Sequence, residues 1–351
     1  MAAADPALAE LHEHLQAAVE VELSVIPPYL TALYSLQPDA NQEAELIIRS
    51  VVVEEMLHLV LAANVLNAVG GRPRLPVPVY PLQLFEDLSV SLLPFGDEAL
   101  ETFLKIENPS YPIAAPMLAA GAVPSRPMVL GYDTIGAFYD AVLAKLELLV
   151  HERGEPAVFT GDPARQVGPE QYYGSGGTAR RVTGLASAKE AICDIVEQGE
   201  GEAMPVGEGQ KFDEEHDLAH YYRFFELKAR RRFKADDRPS TPTGPPIDLD
   251  LAKVYPMRRD PRVDDLPPEV RPQAHACNAL WCGLLAQVEE AFDGRPDRMR
   301  DAVMTMFDLK YTAQALLRIP IGDAENAGPT FEAVSLPPAG DPSPAASASR
   351  G

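Results

Sequence analysis

The sequence predicts an all-α chain, a helical bundle carrying long loop insertions. Three observations point there. Apolar residues recur at steps of three and four along most of the long segments, and very little of the chain reads as strand. The link between the first two periodic segments is short, as in antiparallel bundle neighbours. Polar residues also interrupt the two longest apolar runs: Glu22 in the first, and the Glu55-Met56-Leu57-His58 unit in the second. A carboxylate buried in a helix core without a partner is costly. Glu-x-x-His on a bundle helix is the ligand pattern of di-metal carboxylate proteins.

The elements follow in order. Leu8 to Leu36 is helical in pattern, with Leu8, Leu11, Leu15, Val19, Glu22, Ile26, Tyr29 and Leu33 in step. Pro27 and Pro28 remove two backbone donors and should kink or interrupt it. Gln42 to Val69 is a second long helix, closed by Gly70, Gly71 and Pro73. Arg72 to Arg126 is Pro-rich and weakly periodic, with one short helix expected over Glu98 to Ile106. Asp133 to His151 is a third long helix with Thr134 as a cap. Thr183 should cap a helix running to about Met204, and Glu214 to Phe233 is another. Arg238 to Pro268 reads as a Pro-rich linker. Two more helices, Gln273–Phe292 and Asp297–Leu317, follow it. The chain therefore divides into a bundle over 1–235 with an insert at 72–182, a linker with two packed helices over 236–330, and a disordered tail over 331–351.

With 351 residues, 46% of them hydrophobic, the chain can bury a large core. The formal net charge of −22 argues against nucleic acid as a partner. The one basic run, Lys228 to Arg232, fits a helix C-terminus. No apolar stretch is long enough to span a membrane, and the N-terminus lacks the regions of a signal peptide. A cytoplasmic protein is expected. Three cysteines, Cys193, Cys277 and Cys282, make neither a disulfide framework nor a zinc site.

The chemistry should lie in the carboxylates and histidines. Glu22 is in step with the apolar face of the first helix; Glu20 is not. Glu55 and His58 share a face of the second helix, and Glu54 could also meet His58. Periodicity does not choose between the two acids, because this helix is apolar nearly all round; the Glu-x-x-His spacing of di-metal bundles favours Glu55. A di-metal bundle needs a second half-site. Glu197 and Glu200 share one face of the helix after Thr183, and Asp217 to His220 repeats the carboxylate-x-x-His spacing. The linear order of ligand types is then Glu, Glu-x-x-His, Glu, His, and it suits a metal site. Glu54, Tyr29, Cys193, Asp217 and His216 are expected behind it. A surface ion pair or an ordinary core histidine is the bland alternative for each piece; four helices offering ligand types in order is the stronger signal. Gly199 and Gly201 each cost roughly 1 kcal/mol in a helix interior. They mark either fraying or a local bulge or close approach that aims Glu197 and Glu200 inward.

These residues carry a resemblance. Glu20 to Ser35, with Ile26-Pro27-Pro28-Tyr29-Leu30, and Val53 to Gly71 resemble the ferritin-like domain of the iminophenyl-pyruvate dimer synthase (VioB-like) family. Ile135 to Tyr139, Tyr172-Tyr173 with Gly176-Gly177, Val182-Thr183, Ile195 to Gly201 and His220 to Phe224 extend it over roughly residues 8 to 230. The resemblance implies a ferritin-like four-helix bundle with additional helices and a carboxylate–histidine metal site at Glu22, Glu55, His58, Glu197, Glu200 and His220. A His often follows the first-helix Glu in that family; here the residue is Leu23.

The function expected is a di-metal oxidoreductase, most simply di-iron, with manganese and copper compatible with the same ligand types. It would use O₂ or peroxide to oxidise a small organic metabolite, aromatic or amino-acid-derived, in secondary metabolism. The long insert would serve as pocket wall or lid, and a homodimer is compatible with the pattern. Two other readings stay open: a ferroxidase or metal-sequestering protein, and a metal-free helical scaffold.

Overall fold

Helix α1, Pro6–Ser35, and helix α2, Gln42–Ala68, form the hairpin that the short link requires. The computed structural model describes residues 5–85, 88–108, 132, 134–172, 176–200, 218–322 and 324–335. Asp5 caps α1, its carboxylate accepting from the Ala7 amide at 3.1 Å, and Pro6 starts the helix where a missing N–H costs nothing. Gly70, at φ +84°, closes α2 in the left-handed conformation that glycine adopts freely.

The expected interruption of α1 does not occur: the helix runs through Pro27 and Pro28. Pro28 has no N–H to offer the Ser24 carbonyl one turn back. The Tyr80 hydroxyl, from the following insert, donates to that carbonyl at 2.7 Å. A helix ladder broken by sequence is thus repaired by tertiary structure. Tyr80→Phe should leave the buried carbonyl orphaned and cost about 1–3 kcal/mol. Urea unfolding reads it as a lower midpoint with an unchanged slope.

The insert holds more structure than its composition suggests. Strands β1, Leu82–Phe85, and β2, Leu88–Val90, pair antiparallel. Helix α3 spans Asp97–Ile106. Helix α4, Ile135–Arg153, is capped by the Thr134 hydroxyl, which accepts from the Ala137 amide at 3.0 Å. A single turn, α5, covers Glu155–Val158. Helix α6 is Leu185–Glu200. Thr183 does not cap it. The Glu155 carboxylate accepts from the Leu185 amide at 2.6 Å, and the Ser187 hydroxyl accepts from Thr183 and Gly184. The expected continuation to Met204 lies outside the described residues. Helix α7, His220–Ala229, begins later than periodicity suggests, and residues 214–217 also lie outside the description.

Helix α1 packs on α2 and α4, and α6 packs on the same two, which closes a ring of four helices. The fourth member is α4, within the insert, rather than α7. Helices α3 and α7 pack on each other at the side of this ring. Beyond them, α8, Arg271–Phe292, and α9, Arg298–Leu316, form a second hairpin against α1 and α2.

The Pro-rich stretch before α8 is fastened along the bundle. Tyr255 donates its amide to the Ser35 carbonyl at 2.8 Å, and Asp250 donates to the Asn41 side chain at 2.7 Å. Ile247, Leu249, Met257 and Val263 join the same apolar core as the bundle. The tail boundary expected at 331 falls inside packed chain. Phe331 is buried edge-on against Trp281, with ring centroids 5.2 Å apart, because the preceding turn is tied down by Thr330 and Asn278. Residues 336–351 lie outside the description. Among the described residues no helix is long and apolar enough to cross a membrane.

Candidate metal centre

The polar interruptions of α1 and α2 meet inside the ring. Glu22, Glu55, His58 and His220 are all buried. Glu55 stands at the centre. Its Oε2 lies 3.7 Å from His58 Nδ1 and its Oε1 lies 2.8 Å from His220 Nδ1. A second carboxylate flanks each histidine: Glu22 Oε2 is 3.6 Å from His58 Nδ1, and Glu107 Oε2 is 3.6 Å from His220 Nδ1. The imidazole rings face each other, with centroids 5.4 Å apart. Ligand atoms of Glu55, His58 and His220 all fall within 4.8 Å of one another.

The outer partners repeat this two-sided pattern. The Tyr139 hydroxyl donates to Glu22 at 2.6 Å, and the Tyr29 hydroxyl donates to Glu107 at 2.5 Å. His58 Nε2 lies 2.9 Å from Gln198 Oε1. The Gln198 amide nitrogen donates to the Gly176 carbonyl at 3.0 Å, so Oε1 is the acceptor and His58 must carry its proton on Nε2. His220 Nε2 lies 2.8 Å from Glu54 Oε2, and Arg223 donates to the other Glu54 oxygen at 2.8 Å. Both rings, when neutral, therefore turn their Nδ1 lone pairs inward. Outer-shell bonds of this kind fix tautomer and ring orientation in metal sites. The acids that periodicity could not separate have both found roles: Glu55 sits between the rings, and Glu54 holds the far nitrogen of one.

The buried acids and imidazoles shift one another strongly. Burial opposes an imidazolium at His58, but the Glu22 and Glu55 carboxylates outweigh it and push the pKa to about 10. Burial likewise opposes a charged His220, and Glu107, Glu54 and Glu55 hold its pKa well above the ordinary value. For Glu22 burial wins over His58 and pushes the pKa to about 7. Glu107 is raised by burial and by the charge of Glu55. Burial also works against ionised Glu55, yet His220 and His58 hold it well below the usual carboxylate range.

The donor set fits a cation on direct observation. His220 Nδ1 is buried and makes no aligned hydrogen bond, although the Glu55 oxygen is 2.8 Å away. A buried nitrogen facing converging carboxylates, with its proton fixed on the opposite side, is suited to ligation. Gly199 lies within α6 and faces the cluster, and a Cβ there would make only an ordinary contact, 3.6 Å from Glu107 Oε2, so close approach does not require glycine at this position. Gly201 lies outside the described residues. The small cavity beside the cluster, about 20 Å³, is lined by Glu22, Glu55, His58 and Glu107 and by apolar Ile106, Ile135, Ile195 and Val196.

Two other expected residues, Glu197 and Cys193, do not line this cavity. Glu197 is half-buried and does not line this cavity; Ile195, Val196 and Gly199 do. Glu197 is two residues from both Ile195 and Gly199, which turns it about 200° round the helix. The side chain of Glu200, and all of His216 and Asp217, lie outside the description. Cys193 is exposed and does not line the site; it is also two residues from Ile195. Tyr29 does stand behind the cluster, through Glu107. The sequence reading missed Glu107, Tyr139, Gln198 and Arg223. A signal existed for Glu107, because Leu100, Phe103 and Glu107 are in helical step, with Leu100 and Phe103 on the buried face of α3.

The family model of the ferritin-like proteins matches residues 15–229. Dichlorochromopyrrolate synthase from Lentzea aerocolonigenes is 25% identical over 383 aligned positions, which cover 92% of this chain and 36% of that protein. The chain thus spans about a third of that relative's length. The crystal structure of a ferritin-like protein from Caulobacter vibrioides is 23% identical. It superposes with a TM-score of 0.59 over 91% of this chain and 98% of that one, which shows a shared fold.

Proposed function

The chain belongs to the ferritin-like family, and from that premise we propose that it is a metal-dependent oxidoreductase of small organic metabolites, built around two metal positions. One observation carries the reading: Glu55 directs one oxygen toward each of two histidines, and each histidine has a further carboxylate beside it. Glu22, His58 and Glu55 Oε2 would hold one ion; Glu107, His220 and Glu55 Oε1 would hold the other. Carboxylate and imidazole ligands suit iron, and equally manganese or copper by ligand type. When bound, such a pair supplies electrons to O₂ or peroxide and so oxidises an organic substrate.

The protein's own residues do the rest. Glu54 and Gln198 hold the imidazoles by their outer nitrogens. Burial and the neighbouring carboxylates keep the Tyr29 and Tyr139 phenols protonated, so they remain donors that orient Glu107 and Glu22. Ile106, Ile135, Ile195 and Val196 form an apolar wall beside the acids, which strengthens the electrostatic interactions within the cluster. The relative's name places that protein in biosynthesis of a chlorinated pyrrole-containing acid, and supports a substrate from secondary metabolism here.

Metal analysis of protein purified from iron-supplemented cells, joined to anomalous diffraction at the iron and manganese edges, tests the proposal. About two ions per chain at the two positions is the expected result. Protein that stays well below one ion per chain after reconstitution overturns it. Large oligomers that oxidise Fe(II) into a mineral core would replace it with a storage function.

A further inference from the structure

A second cavity lies on the other side of the α1–α2 hairpin. It is about 210 Å³ and separates that hairpin from α8 and α9. Leu23 and Met56 line it. Each is the immediate neighbour of a residue in the metal cluster, Glu22 and Glu55, and lines this cavity rather than the one beside the cluster. The backbone of α1 and α2 therefore stands between this cavity and the metal centre.

The space is partly open to the surface, so a small molecule can enter it, and its wall is almost entirely apolar. An apolar cavity of about 150 Å³ stays dry and takes a single benzene ring. The larger volume here suits about two fused rings. The lining favours an aromatic over a flexible chain: Trp281 and Tyr172 supply ring faces, and Met56, Met299 and Met306 supply thioethers, which make favourable contacts with aromatic rings. The wall also carries a polar handle. Tyr34 lines it and carries a hydroxyl that can donate a hydrogen bond.

We propose that this cavity is a binding site for a neutral aromatic molecule of about two fused rings that accepts one hydrogen bond from Tyr34. The site is separate from the metal centre and does not depend on the reading of that centre. Leu23 fits this assignment, because a polar residue at its position would place a desolvated group in the apolar wall.

Coumarin is a suitable probe, being neutral, bicyclic and a carbonyl acceptor. Titration calorimetry with the full chain should show one saturable site in both metal-loaded and chelated protein. Quenching of Trp281, the single tryptophan of the chain, should follow the same isotherm. Ala302→Leu, on the α9 wall, should abolish binding with metal content unchanged, and Val303→Phe is the alternative filling variant should the first not fold. Tyr34→Phe should weaken binding roughly 3- to 10-fold. A double variant Glu55→Gln, His58→Gln should bind coumarin as the wild type does. Absence of saturable binding in the wild type overturns the proposal. So does binding that survives both filling variants, or that disappears in the metal-site double variant.

Discussion

Glu55→Gln should empty both metal positions at once, while Glu22→Ala and Glu107→Ala should each empty one. The reason is geometric. Glu55 alone offers an oxygen to both histidines, at 3.7 Å and 2.8 Å, whereas Glu22 and Glu107 each flank a single ring. Glutamine keeps the shape and packing of the side chain, so loss of metal will not simply report loss of fold. Removing an outer hydrogen-bond partner typically costs 10–100-fold in metal affinity. Losing the shared ligand should cost more than about 100-fold at each position. Glu54→Gln supplies the internal comparison, because Glu54 touches only His220 within the cluster; it should weaken one position and spare the other. Metal content by elemental analysis, read beside a thermal melt, separates these cases. Equal loss of one ion in the Glu55 and Glu22 variants would exclude a shared role for Glu55.

The legibility of this site in the sequence follows physical lines. Glu22, Glu55 and His58 were visible because they break long apolar periods, where a buried charge has no cheap explanation. His220 was visible through its spacing and through the resemblance. Glu107 left only a faint trace, its step with Leu100 and Phe103, because it follows the last residue of a ten-residue helix in a Pro-rich insert, and short helices give weak periodic signals. Its function depends on α3 packing against α7, which no local pattern encodes. The same limit produced the misplaced fourth helix. Spacing suggested α7 as a bundle member, yet α4 closes the ring, since an insert's length does not reveal where it returns. Pro27 and Pro28 show the converse. Local chemistry predicted a break in α1, and a hydroxyl from residue 80 removed the reason for it.

Metal loading at pH 7 should release protons, and the affinity should rise with pH. In the metal-free protein the His58 pKa is pushed up to about 10 by Glu22 and Glu55 against the opposing effect of burial, and His220 is raised as well. Both rings are therefore imidazolium at neutral pH. Ligation requires neutral rings with free Nδ1 lone pairs, and carboxylates that are ionised. Glu22, pushed up to about 7 chiefly by burial, adds a fraction of a proton to be displaced. Each ion thus exchanges for at least one proton, and two charged imidazoliums are replaced by two divalent cations among the same carboxylates. The sign for the metal-free fold is the reverse. A histidine whose folded pKa lies above its unfolded value of about 6.5 stabilises the fold fully below that value. That contribution disappears as the pH rises toward about 10, so chelated protein should melt lower at alkaline pH while loaded protein does not. Calorimetry of Mn(II) binding in two buffers of different ionisation enthalpy counts the protons directly. An observed heat that does not depend on the buffer would mean that His58 and His220 are already neutral, and that the carboxylates do not hold the empty site together by charge.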